Sequence, residues 1–274
     1  MTRTVQQLHD IEEKIFMSKI AEAFNNKKAF IPFITCGDPD LETTKKIIKE
    51  MAENGADLIE LGIPFSDPTA EGPVIMEANI RALKNHITTD DVFEMVMSVK
   101  KEVDIPLVFM TYANVVYSYG IERFFKRCKE TGICGIILPD VPFEEKAEFE
   151  DTALEYDVEF VSMIAPTSED RIDTISRDAK GFIYIVSSLG VTGTRTEFNS
   201  NIRGLVDRVR NNTNVPCAVG FGISTPEQAA EMAGIADGAI VGSAIVRVIA
   251  QYGKEAPKHV GEFVRNMKEA YYVS

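Results

Sequence analysis

Eight short apolar runs rich in β-branched and aromatic residues recur along the chain, each followed by a polar turn and then a segment of helical period. They cover residues 29–36, 57–64, 105–112, 135–140, 159–166, 182–188, 215–221 and 238–241. Continuous apolar runs of this length are the pattern of strands buried on both faces, as in parallel sheets. Between them lie helix-start signals. Asp40-Leu-Glu-Thr43 opens one segment, a polar start at Asp90 opens another, and Ser168-Glu-Asp-Arg171 and Thr225-Pro-Glu-Gln228 read as N-caps. Eight alternations predict a closed (β/α)₈ barrel, the TIM barrel, rather than an open doubly wound sheet. Such a barrel takes about 250 residues as one domain, so residues 1–274 are expected to form a single domain.

Two departures from the rhythm predict additions. After the second run, residues 73–85 place Ile75, Ala78, Ala82 and Leu83 at helical spacing, which predicts an extra helix in that loop. Before the first run, residues 5–24 carry Ile11, Ile15, Ile20 and Phe24 and predict an N-terminal helix covering the barrel floor.

The net charge of −13 disfavours nucleic acid and anionic membranes as partners. A phosphorylated ligand would have to be held locally, by backbone N–H groups and a helix N-terminus. Cys36, Cys128, Cys134 and Cys217 have no CxxC spacing, and the three histidines add little, so no metal is expected and a reduced, cytoplasmic chain is. Residues 1–16 lack an apolar signal core. The most apolar stretch, residues 238–250, is interrupted by Arg247 and too short to span a bilayer.

In such barrels the chemistry sits at the C-terminal strand ends. Glu60 lies there, inside the apolar run Leu58-Ile-Glu-Leu-Gly-Ile63. A buried carboxylate is costly unless paired, and burial raises its pKa toward neutrality, which suits a general acid–base. A structural glutamate bonded to backbone or to an arginine fits the same position. The following loop, residues 64–73, offers Asp67 and Glu71 between prolines that stiffen it; for Asp67, ordinary turn chemistry suffices. Three glycine-rich turns, at 190–193, 220–224 and 241–244, follow the last three runs. Late loops of this kind bind phosphate in many barrels, though glycine also serves plain strand-to-helix turns. No Walker A sequence, dinucleotide fingerprint or nucleophile elbow occurs, and His9, His86 and His259 fall away from the strand ends.

The segments Phe30-Ile-Pro-Phe-Ile-Thr-Cys-Gly-Asp-Pro39, Ile59-Glu-Leu-Gly-Ile-Pro-Phe-Ser-Asp-Pro68, Pro139-Asp-Val-Pro142, Gly190-Val-Thr-Gly193, Gly220-Phe-Gly-Ile-Ser224 and Gly242-Ser-Ala244 occur in this order. Together they resemble the tryptophan synthase alpha chain family over about residues 30–246. The resemblance implies cleavage of indole-3-glycerol phosphate into indole and glyceraldehyde 3-phosphate. It implies catalytic roles for Glu60 and Glu71, the latter standing where the family most often has aspartate. It implies substrate contacts at Phe33, Tyr112, Tyr184, Thr192, Gly193, Gly222, Gly242 and Ser243. It further implies a pyridoxal-phosphate-dependent beta chain as partner in an α₂β₂ assembly, contacted through Pro64, Asp67, Asn114, Asp140 and Pro142. No metal or organic cofactor is implied for this chain. Two rivals remain at this point: another phosphate-binding barrel enzyme, and a catalytically silent barrel retained as a binding subunit.

Overall fold

The computed structural model describes residues 18–25, 27–187, 195–220 and 222–272. Nine parallel strands form the sheet: β1 Ala29–Thr35, β2 Ile59–Gly62, β3 Leu107–Met110, β4 Ile133–Ile137, β5 Glu159–Phe160, β6 Ser162–Ile164, β7 Ile183–Val186, β8 Cys217–Gly220 and β9 Gly238–Val241. β5 bonds to β4, β6 bonds to β7, and Val161 joins them, its N–H donating to Ile136 O at 2.9 Å. The nine strands are therefore eight staves, and the ring closes through residues 159–164. This is the TIM barrel expected from the eight runs, with the fifth run broken in two.

Alternation along the staves sorts the core. Ile31, Leu58, Val108, Val161, Ala218 and Ile240 fill the interior. Phe30, Ile59, Phe109, Ile136, Ile185 and Val219 face outward into the shell beneath the helices. Ile20, on the short helix α1 (Lys19–Glu22), and Phe24 just after it close the floor; Phe24 packs on Phe182 with ring centroids 5.7 Å apart. The rest of the expected N-terminal helix, residues 5–17, lies outside the described residues.

Around the barrel run α2 Leu41–Glu53, α3 Pro73–Leu83, α4 Thr89–Val99, α5 Ala113–Tyr119, α6 Ile121–Thr131, α7 Ala147–Glu155, α8 Ile172–Asp178, α9 Arg195–Arg210, α10 Pro226–Ile235, α11 Ser243–Tyr252 and α12 Ala256–Glu269. The caps explain their starts. Asp40 accepts Thr43 N–H at 2.7 Å, and Thr225 with Gln228 forms a capping box ahead of Pro226. On α2, Ile47, Ile48 and Met51 are fully buried, each stabilising the fold by roughly 1.5–3 kcal/mol.

Two expected caps are corrected. α4 is capped by Thr88, not opened at Asp90: Thr88 Oγ1 accepts Asp91 N–H at 3.2 Å, and Asp91 accepts Thr88 N–H at 2.9 Å. Ser168 does not cap a helix. It sits inside the 3₁₀ turn Pro166–Arg171, where its hydroxyl accepts Ala165 N–H at 3.2 Å.

The extra helix after β2 is present as α3, with Ile75, Ala78 and Ala82 buried. It is tied to the loop after β1. Arg81 makes two hydrogen bonds to buried Asp38, at 2.8 and 2.7 Å, and Asn85 donates to Pro39 O at 2.6 Å. This fixes the roof over one side of the barrel mouth.

Candidate active site at the barrel mouth

Glu60 sits mid-way along β2, level with Phe33 on β1 and Val108 on β3. Its side chain alternates with Ile59 and Leu61, which face the shell, so it points into the barrel. It is 0% exposed, and among the described residues neither carboxylate oxygen has a hydrogen-bond partner. Burial pushes its carboxyl up to about 8. Such a group is largely protonated at pH 7 and can both give and take a proton there. Tyr184, on β7, is close enough to feel it: burial raises the phenol well above its ordinary value, and the Glu60 charge raises it further. No arginine or backbone donor answers Glu60 among the described residues.

Glu71 comes from the loop between β2 and α3 and is half-buried. Burial raises its carboxyl, while hydrogen bonds from Asn79 and Tyr112 pull the other way without cancelling the rise. Asn79 Nδ2 donates to Glu71 Oε2 at 2.6 Å. Tyr112 takes Ala70 N–H at 3.3 Å on its hydroxyl and stacks beside Phe65, centroids 5.3 Å apart. It therefore stands behind Glu71, while Phe33 and Tyr184 line the cavity itself. Asn79 was missed in the sequence. The available signal was an asparagine on the apolar face of α3, between Ala78 and Ala82.

The cavity has a volume of about 620 Å³ and takes in Glu60 and Glu71 together with apolar Phe33, Met110 and Ile223. Gly222, Gly242 and Ser243 also line it. Gly222 has φ +75°, a left-handed conformation that favours glycine. Gly242 precedes α11 and supplies no side-chain cap, which leaves the first N–H groups of that helix for a ligand. Arg247, treated in the sequence only as a break in an apolar stretch, lines the same cavity. Thr192 and Gly193 lie outside the described residues.

The five residues expected at a partner face follow β2, β3 and β4, which are adjacent staves. Asp67 is exposed and accepts from the Ser66 hydroxyl. Asn114 is exposed and accepts from Ser118 Oγ at 3.2 Å. Asp140 is exposed, and both its oxygens accept Ala113 N–H at 3.1 Å, capping α5. Pro142 is exposed and reaches the cavity rim, whereas Pro64 is buried beneath the loop. Among the described residues, no cluster of three or more His, Cys, Asp or Glu could hold a metal ion, and no helix is long and apolar enough to cross a membrane.

The family model for the tryptophan synthase alpha chain matches residues 20–272. The tryptophan synthase alpha chain of Lacticaseibacillus casei is 48% identical over 256 residues, covering 93% of this chain and 96% of that one. The structure of the tryptophan synthase alpha subunit of Legionella pneumophila superposes with TM-score 0.86 at 34% identity, covering 94% of this chain and all of that one. A chain from the tryptophan synthase α₂β₂ complex of Pyrococcus furiosus superposes with TM-score 0.78 at 34% identity, over 88% of this chain and 98% of that one. The barrel, its mouth carboxylates and these matches agree: the chain belongs to the tryptophan synthase alpha chain family.

Proposed function

We infer that this chain cleaves indole-3-glycerol phosphate to indole and glyceraldehyde 3-phosphate, and that residues 1–274 act as one barrel domain. The observation that carries the inference is Glu60, a buried carboxyl without a partner among the described residues, which shares its cavity with Glu71.

The reaction is a retro-aldol cleavage. Protonated Glu60 gives its proton to C3 of the indole ring, which places positive charge on the ring nitrogen. The Glu71 carboxylate stabilises that charge electrostatically. Glu60, now ionised, takes the proton of the glycerol hydroxyl next to the ring. The carbon–carbon bond then breaks, its electron pair returns to the ring, and an aldehyde forms. Indole leaves with the proton on C3, and Glu60 is protonated again, so no net proton is consumed. Two carboxyls in two environments divide the work.

Phe33 and Tyr184 hold the indole ring, and Tyr112 supports Glu71 from behind. Gly222, Gly242 and Ser243 hold the phosphate with backbone N–H groups, joined by Gly193, while Thr192 packs against the Glu71 carboxylate. The chain itself uses no cofactor. Its partner is a beta chain, pyridoxal-phosphate-dependent, in an α₂β₂ assembly in the cytoplasm, docked over the rim at Pro64, Asp67, Asn114, Asp140 and Pro142. Direct transfer would keep indole, small and apolar, from being lost to solvent. The test is turnover: purified chain with indole-3-glycerol phosphate should release glyceraldehyde 3-phosphate, followed by a coupled dehydrogenase. Absence of product, alone and with the cognate beta chain, would refute the function.

A further inference from the structure

Asn79 is 4% exposed and lies on the face of α3 turned toward the mouth. Its amide reaches Glu71 Oε2 at 2.6 Å. The Tyr112 hydroxyl, just beyond β3, lies close enough to Glu71 to lower its carboxyl. α3 is not free to drift there: Arg81, two residues beyond Asn79, is bound twice to Asp38. Tyr112 is held in turn by Ala70 N–H and the Phe65 ring. Glutamate has one more side-chain torsion than aspartate and so more positions to sample. A carboxylate meant to sit beside one ring nitrogen loses effectiveness if it samples them.

We propose that Asn79 is a positioning residue, which holds the Glu71 side chain in the placement that serves catalysis. The assignment rests on the cleavage reaction proposed above. Tyr112 is the titratable group that acts on Glu71. Glu60 faces the same cavity, Asp140 acts on Tyr112, and Arg81, Glu77 and Asp38 form a charged set on and against α3.

The experiment compares Asn79→Ala with the nearly isosteric Asn79→Asp, which keeps the packing but loses the donor. Both should lower kcat at least about tenfold while changing KM less than about threefold. Losing the donor disfavours the ionised carboxylate, so the acid limb of the rate profile should move to higher pH, by about one unit in Asn79→Asp, where a like charge is added. Carbon-13 NMR of the Glu71 carboxyl, assigned with Glu71→Gln, reads the same shift without turnover. It separates this assignment from the function: a chain that never cleaves substrate but shows the shifted midpoint retains the clamp and loses the reaction. An unmoved Glu71 midpoint, or unchanged kcat in both variants of an active enzyme, overturns the proposal.

Discussion

The two ends of the barrel treat buried charge in opposite ways. At the floor, Asp57 precedes β2 and accepts Phe30 N–H at 2.8 Å while pairing with Lys27 and Lys268, each at 2.7 Å. Asp237 precedes β9 and accepts Cys217 N–H at 3.0 Å while pairing with Arg210 at 2.8 Å. Burial alone would raise Asp237, but Cys217 N–H and Arg210 outweigh it, and the carboxyl ends below its ordinary value. Each aspartate thus ties one stave to its neighbour with its charge fully answered. At the mouth, Glu60 is more deeply buried than either, and no described residue answers its charge. A fold selected for stability alone would not keep such a carboxyl. Asp57 and Asp237 at the floor hold strands together, and Glu60 at the mouth is kept for proton transfer.

The largest effect expected from breaking this contrast is at Glu60. Glu60→Gln should lose roughly 10²–10⁴ in turnover, the usual worth of a general acid–base. It should also stabilise the fold near pH 8. The sign follows from the raised pKa. The folded state binds the proton more tightly than the unfolded chain, so Glu60 costs stability as pH rises from 4.5 toward about 8. The gain in the variant should be on the order of a few kcal/mol, read by urea denaturation across that pH range. Normal turnover in the variant would remove Glu60 from the mechanism.

The floor should behave in the opposite sense. Asp57→Asn leaves Lys268 buried without its counter-charge and should cost about 3 kcal/mol of stability. The same variant should leave kcat within about twofold at temperatures where it stays folded. A large loss of turnover without loss of stability would erase the distinction between the two ends.

The glycine end of the mouth sharpens it further. A side chain at Gly242 would meet Phe33 at 3.3 Å and crowd the approach to α11. Gly242→Val should raise KM for indole-3-glycerol phosphate at least about tenfold and affect free indole binding far less. Equal effects on the two ligands would count against a phosphate site there. The smallest effect is expected on the rim. The cognate beta chain should raise turnover at least about tenfold, a coupling of about 1.4 kcal/mol, and Asp67→Ala should reduce that activation more than the basal rate. Sedimentation showing no complex at micromolar concentrations would rule the partner out.

Most of the barrel was legible because its signals are local. Asp40 and Thr225-Pro226 announce helices through bonds within one turn, and the apolar runs need only their own periodicity. Two features were not legible. Ser168 has the chemistry of a cap, and the same local bond serves a 3₁₀ turn instead; and nothing local marks Val161 as the point where one stave changes neighbours. In the site, Glu60 stood out because a charge in an apolar strand is conspicuous. Asn79 did not, because its meaning lies in a carboxylate that only the folded loop brings to it.

The most direct test is the titration of Glu60 itself. Carbon-13 NMR of glutamate-labelled protein, with the Glu60 signal assigned by Glu60→Gln, should give a midpoint near 8, the value that burial without a partner imposes. A midpoint near the ordinary glutamate value of about 4.3 would mean that the carboxyl is solvated or paired, and would contradict the account of the mouth as the place where the fold keeps a charge unanswered.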